Sequence, residues 1–148
     1  RGEARVLRHI AMARAFLLNE YTYPSELLQK ALRSFKENND FIFEIDTFVC
    51  MGSLELLFDN REQAKLHFEK ALNLSQHTNN ILNKTKTNAS IGDCYCKHGD
   101  YQSAIHFYKE SIVLAQHEGG AELLRFLTKK LDDAEKRVKE TSATPSKT

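Results

Sequence analysis

Ala64, Phe68 and Ala71 stand at i, i+4 and i+7, and Ala104, Tyr108 and Ser111 repeat that spacing. A period near 3.6 residues puts each trio on one stripe of a helix. The surrounding segments repeat too. Gly52-Ser53-Leu54 returns 40 positions later as Gly92-Asp93-Cys94, and Phe68-Glu69-Lys70-Ala71-Leu72 as Tyr108-Lys109-Glu110-Ser111-Ile112. One further step back from Ala71 lands on Ala31, within Leu28-Gln29-Lys30-Ala31-Leu32. Three copies at one period predict a solenoid, in which each unit buries its apolar face against its neighbours.

Breakers mark the boundaries. Asp59-Asn60 and Gly99-Asp100 separate the two helices of a unit, while Asn38-Asn39-Asp40, Thr78-Asn79-Asn80 and Gly119-Gly120 separate units. The pattern predicts helices near 3–18, 24–38, 41–58, 61–77, 81–98, 101–117 and 120–140. Asp40 and Asp100 are expected to act as N-caps, and Pro24 falls in a first turn, where proline is tolerated. Glycine inside a helix costs about 1 kcal/mol against alanine, so Gly52 and Gly92 imply a close approach that offsets the cost. The fold expected is all-α: three helix-turn-helix units near 3–38, 41–78 and 81–118, wound as a right-handed superhelix. The last helix carries Leu123, Leu124, Leu127, Leu131, Ala134 and Val138 on one side, with Lys129, Lys130, Asp132, Asp133, Lys136 and Arg137 on the other. It reads as a solvating cap that completes a domain over 1–140, followed by a disordered tail or linker over 141–148.

Composition adds little against this and removes several function classes. With 148 residues there is room for one domain, and only 6 glycines and 2 prolines speak for helices over many short strands. A net charge of +1 supplies no field for nucleic acid or an anionic membrane. The charge is unevenly placed: residues 1–36 hold seven basic and three acidic side chains, and 37–62 hold seven acidic and one basic. A partner could sense that change of sign along the stack. Arg1, Arg5, Arg8 and Arg14 form a basic face on the first helix, read as solvated or set against a neighbouring domain. No run approaches the roughly 18 apolar residues of a membrane span. The chain opens on Arg1 and is read as part of a larger parent protein. Cys50, Cys94 and Cys96, an odd count within helical pattern, suit buried thiols of a reducing compartment, cytoplasmic or also nuclear.

Catalytic frames are missing. The six histidines fall outside any Ser/His/Asp or Cys/His logic, and neither a phosphate loop nor a paired-carboxylate frame is present. Cys94-x-Cys96-x-His98 is the densest cluster, yet residues two apart on a helix diverge, whereas a zinc site needs convergent ligands. The expectation is a non-enzyme without metal or cofactor.

The third unit, Gly92-Asp93-Cys94-Tyr95 followed by Gly99-Asp100-Tyr101-Gln102-Ser103-Ala104 and Tyr108, resembles the tetratricopeptide repeat in its lengthened form of about 40 residues. Kinesin light chain and the adaptors linking G-protein subunits to the mitotic spindle carry repeats of that form. Met12 replaces the glycine in the first unit, Pro24 the small residue, Glu55 an aromatic and Asp59 a glycine in the second. The resemblance implies a protein-interaction scaffold that holds an extended peptide or helix of a partner in a concave groove. Its lining would be Val6, His9, Ala13 and Phe16, then Asp46, Val49, Ser53 and Leu56, then Lys86, Ala89, Ser90, Asp93 and Lys97. The chaperone-tail subgroup clamps a carboxylate with Lys and Asn where His9 and Ala13 stand here, and Asp93 would repel that carboxylate. Two alternatives stay open: a structural segment whose groove is filled by its own parent or a second copy, and a regulatory domain whose packing answers a ligand.

Overall fold

A computed structural model describes residues 2–118 and 120–143. They form seven helices: α1 (Gly2–Leu18), α2 (Thr22–Glu37), α3 (Phe41–Leu57), α4 (Arg61–His77), α5 (Ile81–His98), α6 (Tyr101–Glu118) and α7 (Ala121–Ala143). The expected boundaries agree to within two or three residues. At the C-terminus α7 runs on through Ala143, so 141–143 are helix where a tail was expected, and the remainder of 141–148 lies outside the described residues.

The turns set the geometry. Asn19, Asn39, Asp59, Asn79 and Gly99 all have positive φ, between 52° and 86°, and each follows the last by 20 positions. Asn, Asp and Gly are the residues that enter the left-handed region most cheaply. Asp40, Asn60 and Asp100 then donate their backbone N–H to the carbonyls of Phe35, Glu55 and Tyr95, at 2.9, 2.8 and 2.9 Å. That is the reach-back bond of a helix ending in a left-handed residue. Capping on the far side of the turn varies. Asp100 Oδ1 accepts from Ser103 N at 3.1 Å, as expected, and Asn80 Oδ1 accepts from Asn83 N at 3.2 Å. Asp40 makes no side-chain cap hydrogen bond, contrary to expectation.

Within the second and third units the helices meet glycine to aromatic. A Cβ on Gly52 would lie 2.3 Å from Phe68 Cε1, and one on Gly92 would lie 2.6 Å from Tyr108 Cε1. In the first unit the matching positions are Met12 and Leu28, and the aliphatic Leu28 side chain leaves space for the larger helix-A residue. Pro24, Ala64 and Ala104 occupy one repeated position on the second helices and are all buried.

Odd-numbered helices touch in sequence, α1 to α3 and α3 to α5, whereas no comparable contact joins α2 to α4 or α4 to α6. The stack is therefore a helical-repeat solenoid with the odd helices converging on an inner face and the even helices fanned along the outer one. α7 packs extensively on α6, and an open cleft separates its N-terminal end from α5. No helix among the described residues is long and apolar enough to cross a membrane.

Candidate functional site

The inner face is built on α5. Four clefts open beside this helix where it meets α1, α3 and α7, and a fifth, of about 520 Å³, opens where it meets α4 and α6, with Leu72, Gln76 and Phe107. At its N-terminal half lie one of about 220 Å³ against α3, with Ile42 and Ile45, and one of about 620 Å³ against α7, with Leu82 and Leu123. Lys86 lines both. At the C-terminal half lie a small cavity of about 40 Å³ against α1 and α3, and a cleft of about 330 Å³ against α6 and α7. Lys97 lines both of those.

The residues expected to line the groove divide into three groups. Lys86 and Lys97 are exposed on the inner ridge of α5, with Ala89 and Ser90 half-buried between them. Asp46 on α3 is half-buried and pairs with Arg8 of α1 at 3.4 Å. Burial pushes its carboxyl above the ordinary value, and Arg8 and Lys86 pull it only part of the way back. Val6, His9, Ala13 and Phe16 are exposed on α1, and Lys97 Nζ stands 5.2 Å over the Phe16 ring, joining the first and third inner helices across α3.

The other two groups depart from expectation. Val49, Ser53 and Leu56 are 7, 8 and 1% exposed, so they present almost nothing to a ligand. The small Ser53 side chain lets α3 and α5 close on each other beside Cys94, and the room it creates is consumed by helix packing. Asp93 is also engaged. Its Oδ1 accepts from Tyr108 Oη at 2.6 Å and from Lys130 Nζ at 2.8 Å. It is thus a junction of α5, α6 and α7, its charge matched within the fold. Burial first, then the hydrogen bond to Asp93, pushes the Tyr108 phenol far above its ordinary pKa.

Lys130 is a site residue that sequence reasoning placed on the solvated side of the last helix. It is 26% exposed and lies 4.8 Å over the Phe126 ring. Continuing the 40-residue period from Ser90 to 130 would have pointed to it, because α7 keeps the repeat register. The uneven charge along the chain is partly absorbed in the same way: Arg5 and Arg8 lie 4.9 and 5.6 Å over the Phe43 ring, and Arg8 reaches Asp46.

The cysteine cluster diverges. Cys94 faces Ser53 on α3, and burial pushes its thiol up to about 12; Cys50 nearby is pushed up to about 11, again by burial. Cys96 points to α6 and accepts from Tyr108 Oη at 3.4 Å. His98 turns to Asp59, at 3.5 Å. No group of three potential metal ligands converges among the described residues.

No family profile matches the chain, and no curated protein matches it significantly.

Proposed function

We propose that this chain is a protein-interaction scaffold, and that it holds a segment of a partner protein on the inner face of the solenoid. The 40-residue repeat, with its paired helices and glycine-to-aromatic contacts, supports a relationship to the lengthened tetratricopeptide repeats, whose inner helices serve that role within larger intracellular assemblies. The observation that carries the reading is the set of open clefts flanking α5, bordered by exposed Ile42 and Leu82 at 54 and 47%. Exposed apolar side chains beside a concave cleft are what a docked peptide or helix buries.

Leu82→Arg tests this against a matched control on the outer face, Leu66→Arg or Val113→Arg, which change side chains of similar exposure, 50 and 52%. In affinity capture with mass-spectrometric identification, the inner variant is expected to lose partners that both outer variants keep. Partners lost only with the outer variants would move the binding face to the even helices and overturn the reading.

A second reading has its own observation. Val6, Ile10 and Leu17 on α1 share one stripe and are 54, 41 and 81% exposed, an unpartnered apolar edge at the open end of the stack. It fits a structural segment that pairs with a second copy or with a neighbouring unit. Sedimentation over a range of concentrations, compared with Leu17→Glu, separates the two: a concentration-dependent dimer abolished by that change favours self-association.

A further inference from the structure

We infer that the inner ridge of α5 reads an acidic partner segment, with one carboxylate meeting Lys86 and another meeting Lys97. The inference rests on the inner face being the docking face and adds the chemistry of what docks.

It follows from which charges on that face are already matched. Asp46 is paired by Arg8, and Asp93 by Lys130 and Tyr108. Lys86 and Lys97 form no ion pair with any carboxylate of the described residues. Lys97 does hold its Nζ 5.2 Å over the Phe16 ring, a contact that orders the ammonium without supplying a counter-charge, and the residue remains exposed. Three carboxylates share clefts with these lysines: Asp46, which feels the Lys86 charge but pairs with Arg8, and Glu122 and Asp133 on the α7 wall; none forms an ion pair with either lysine. Arg137, against the Tyr101 ring at 5.9 Å, adds positive charge at the Lys97 end.

The geometry sets the spacing of the ligand. Lys86 and Lys97 lie 11 positions apart on one helix, a whole number of turns to a good approximation, so they share a face about 16 Å apart along the axis. An extended segment covers that distance in roughly five residues. Between the lysines the ridge carries half-buried Ala89 and Ser90, to which a backbone can lie close, and the partly exposed Asp93, whose charge Lys130 matches. The clefts flanking Lys86 have apolar floors from Ile42, Ile45, Ile81 and Leu82, so apolar side chains beside the acidic position nearest Lys86 would be buried there. The segment is thus acidic at two points and apolar around the first.

A random-sequence peptide library displayed on phage and selected on the whole chain tests this. Enriched peptides are expected to carry Asp or Glu at two positions roughly five apart, with apolar residues around one of them. In solution, Lys86→Glu and Lys97→Glu should each weaken those peptides by about ten- to hundredfold, and raised salt should weaken them further. Lys86→Gln and Lys97→Gln, which add no charge, provide the same comparison if a reversal lowers the melting point. Failure to enrich, enrichment of peptides without paired acids, or binding indifferent to both lysines overturns the inference. Partners that depend on Leu82 but not on the lysines would sink this inference and leave the scaffold reading standing; partners indifferent to all three would remove both.

Discussion

Lys130 Nζ and Tyr108 Oη both donate to the same carboxylate oxygen of Asp93, from 2.8 and 2.6 Å. The three residues belong to α7, α6 and α5, so a single acid ties the last helix to the helix pair before it. An acid that would have been offered to a ligand is used instead to close the stack.

The two donors should be separable by mutation. Lys130 and Asp93 side chains are 26 and 42% exposed, and a pair that wet contributes up to about 1 kcal/mol. Lys130→Met is therefore expected to be mild. Asp93→Ala also strips the main partner from a tyrosine that is 2% exposed, for which about 1–3 kcal/mol is expected. Urea denaturation of the two variants, and of the double variant, checks the ordering; equal losses would mean that the Tyr108 bond contributes nothing.

The helices and their register were legible in the sequence because both depend on local spacing. Turn residues at 19, 39, 59, 79 and 99 act on their own backbone, and a 3.6-residue stripe is visible wherever it falls. The inner face was less legible because its charge pairs join residues far apart in the chain. Asp93 meets Lys130 at a separation of 37, and which acid finds which base depends on how tightly the units wind. Small residues were ambiguous in the same way. Ser53 between larger neighbours can leave room for a ligand or let two helices close, and only the packing of α5 on α3 decides for closure. Glu55, which departs from the repeat pattern, is 6% exposed and accepts from Tyr21 at 2.6 Å and Asn60 at 2.9 Å. Its place was visible in the sequence, but its partners were not.

That Glu55 contact predicts an alkaline transition. Its hydrogen bond first, then burial and the carboxylate charge, pushes the Tyr21 phenol up to about 12 from an ordinary 10.0. A raised folded-state value means the contribution to stability is fully present below pH 10 and is lost as pH rises toward 12. Phenolate absorbance, with Tyr21→Phe subtracted, should place this ionisation late, and Glu55→Gln should move it earlier. An unchanged titration in Glu55→Gln would exclude the contact as the cause.

Deleting 121–148 should expose Ala104 and Tyr108, now 0 and 2% exposed and packed on Ala134 and Leu131. It would also leave Asp93 without Lys130. Exposed apolar surface at the end of a solenoid favours association, so the shortened chain is expected to aggregate or melt earlier. Light scattering and thermal melting check this; a monomer that melts like the full chain would show that α7 does not close the stack.

The glycine contacts give the sharpest test of the register because the sign of the effect is at issue. On an open helix surface, Gly→Ala should stabilise by about 1 kcal/mol through propensity alone. At position 52 the new Cβ would meet Phe68 Cε1 at 2.3 Å, and at 92 it would meet Tyr108 Cε1 at 2.6 Å, distances at which something must move. Both rings are buried, at 2% exposure, so moving them disturbs the core. Gly52→Ala and Gly92→Ala are expected to destabilise by about 1–3 kcal/mol, the range for overpacking. The first unit already shows a compensating pair, Met12 with Leu28, so Phe68→Leu should recover part of the loss in Gly52→Ala. A double-mutant cycle by chemical denaturation measures that recovery. Stabilisation by Gly52→Ala, or strict additivity with Phe68→Leu, would show that the ring does not pack on the glycine and that the helix pair is set otherwise.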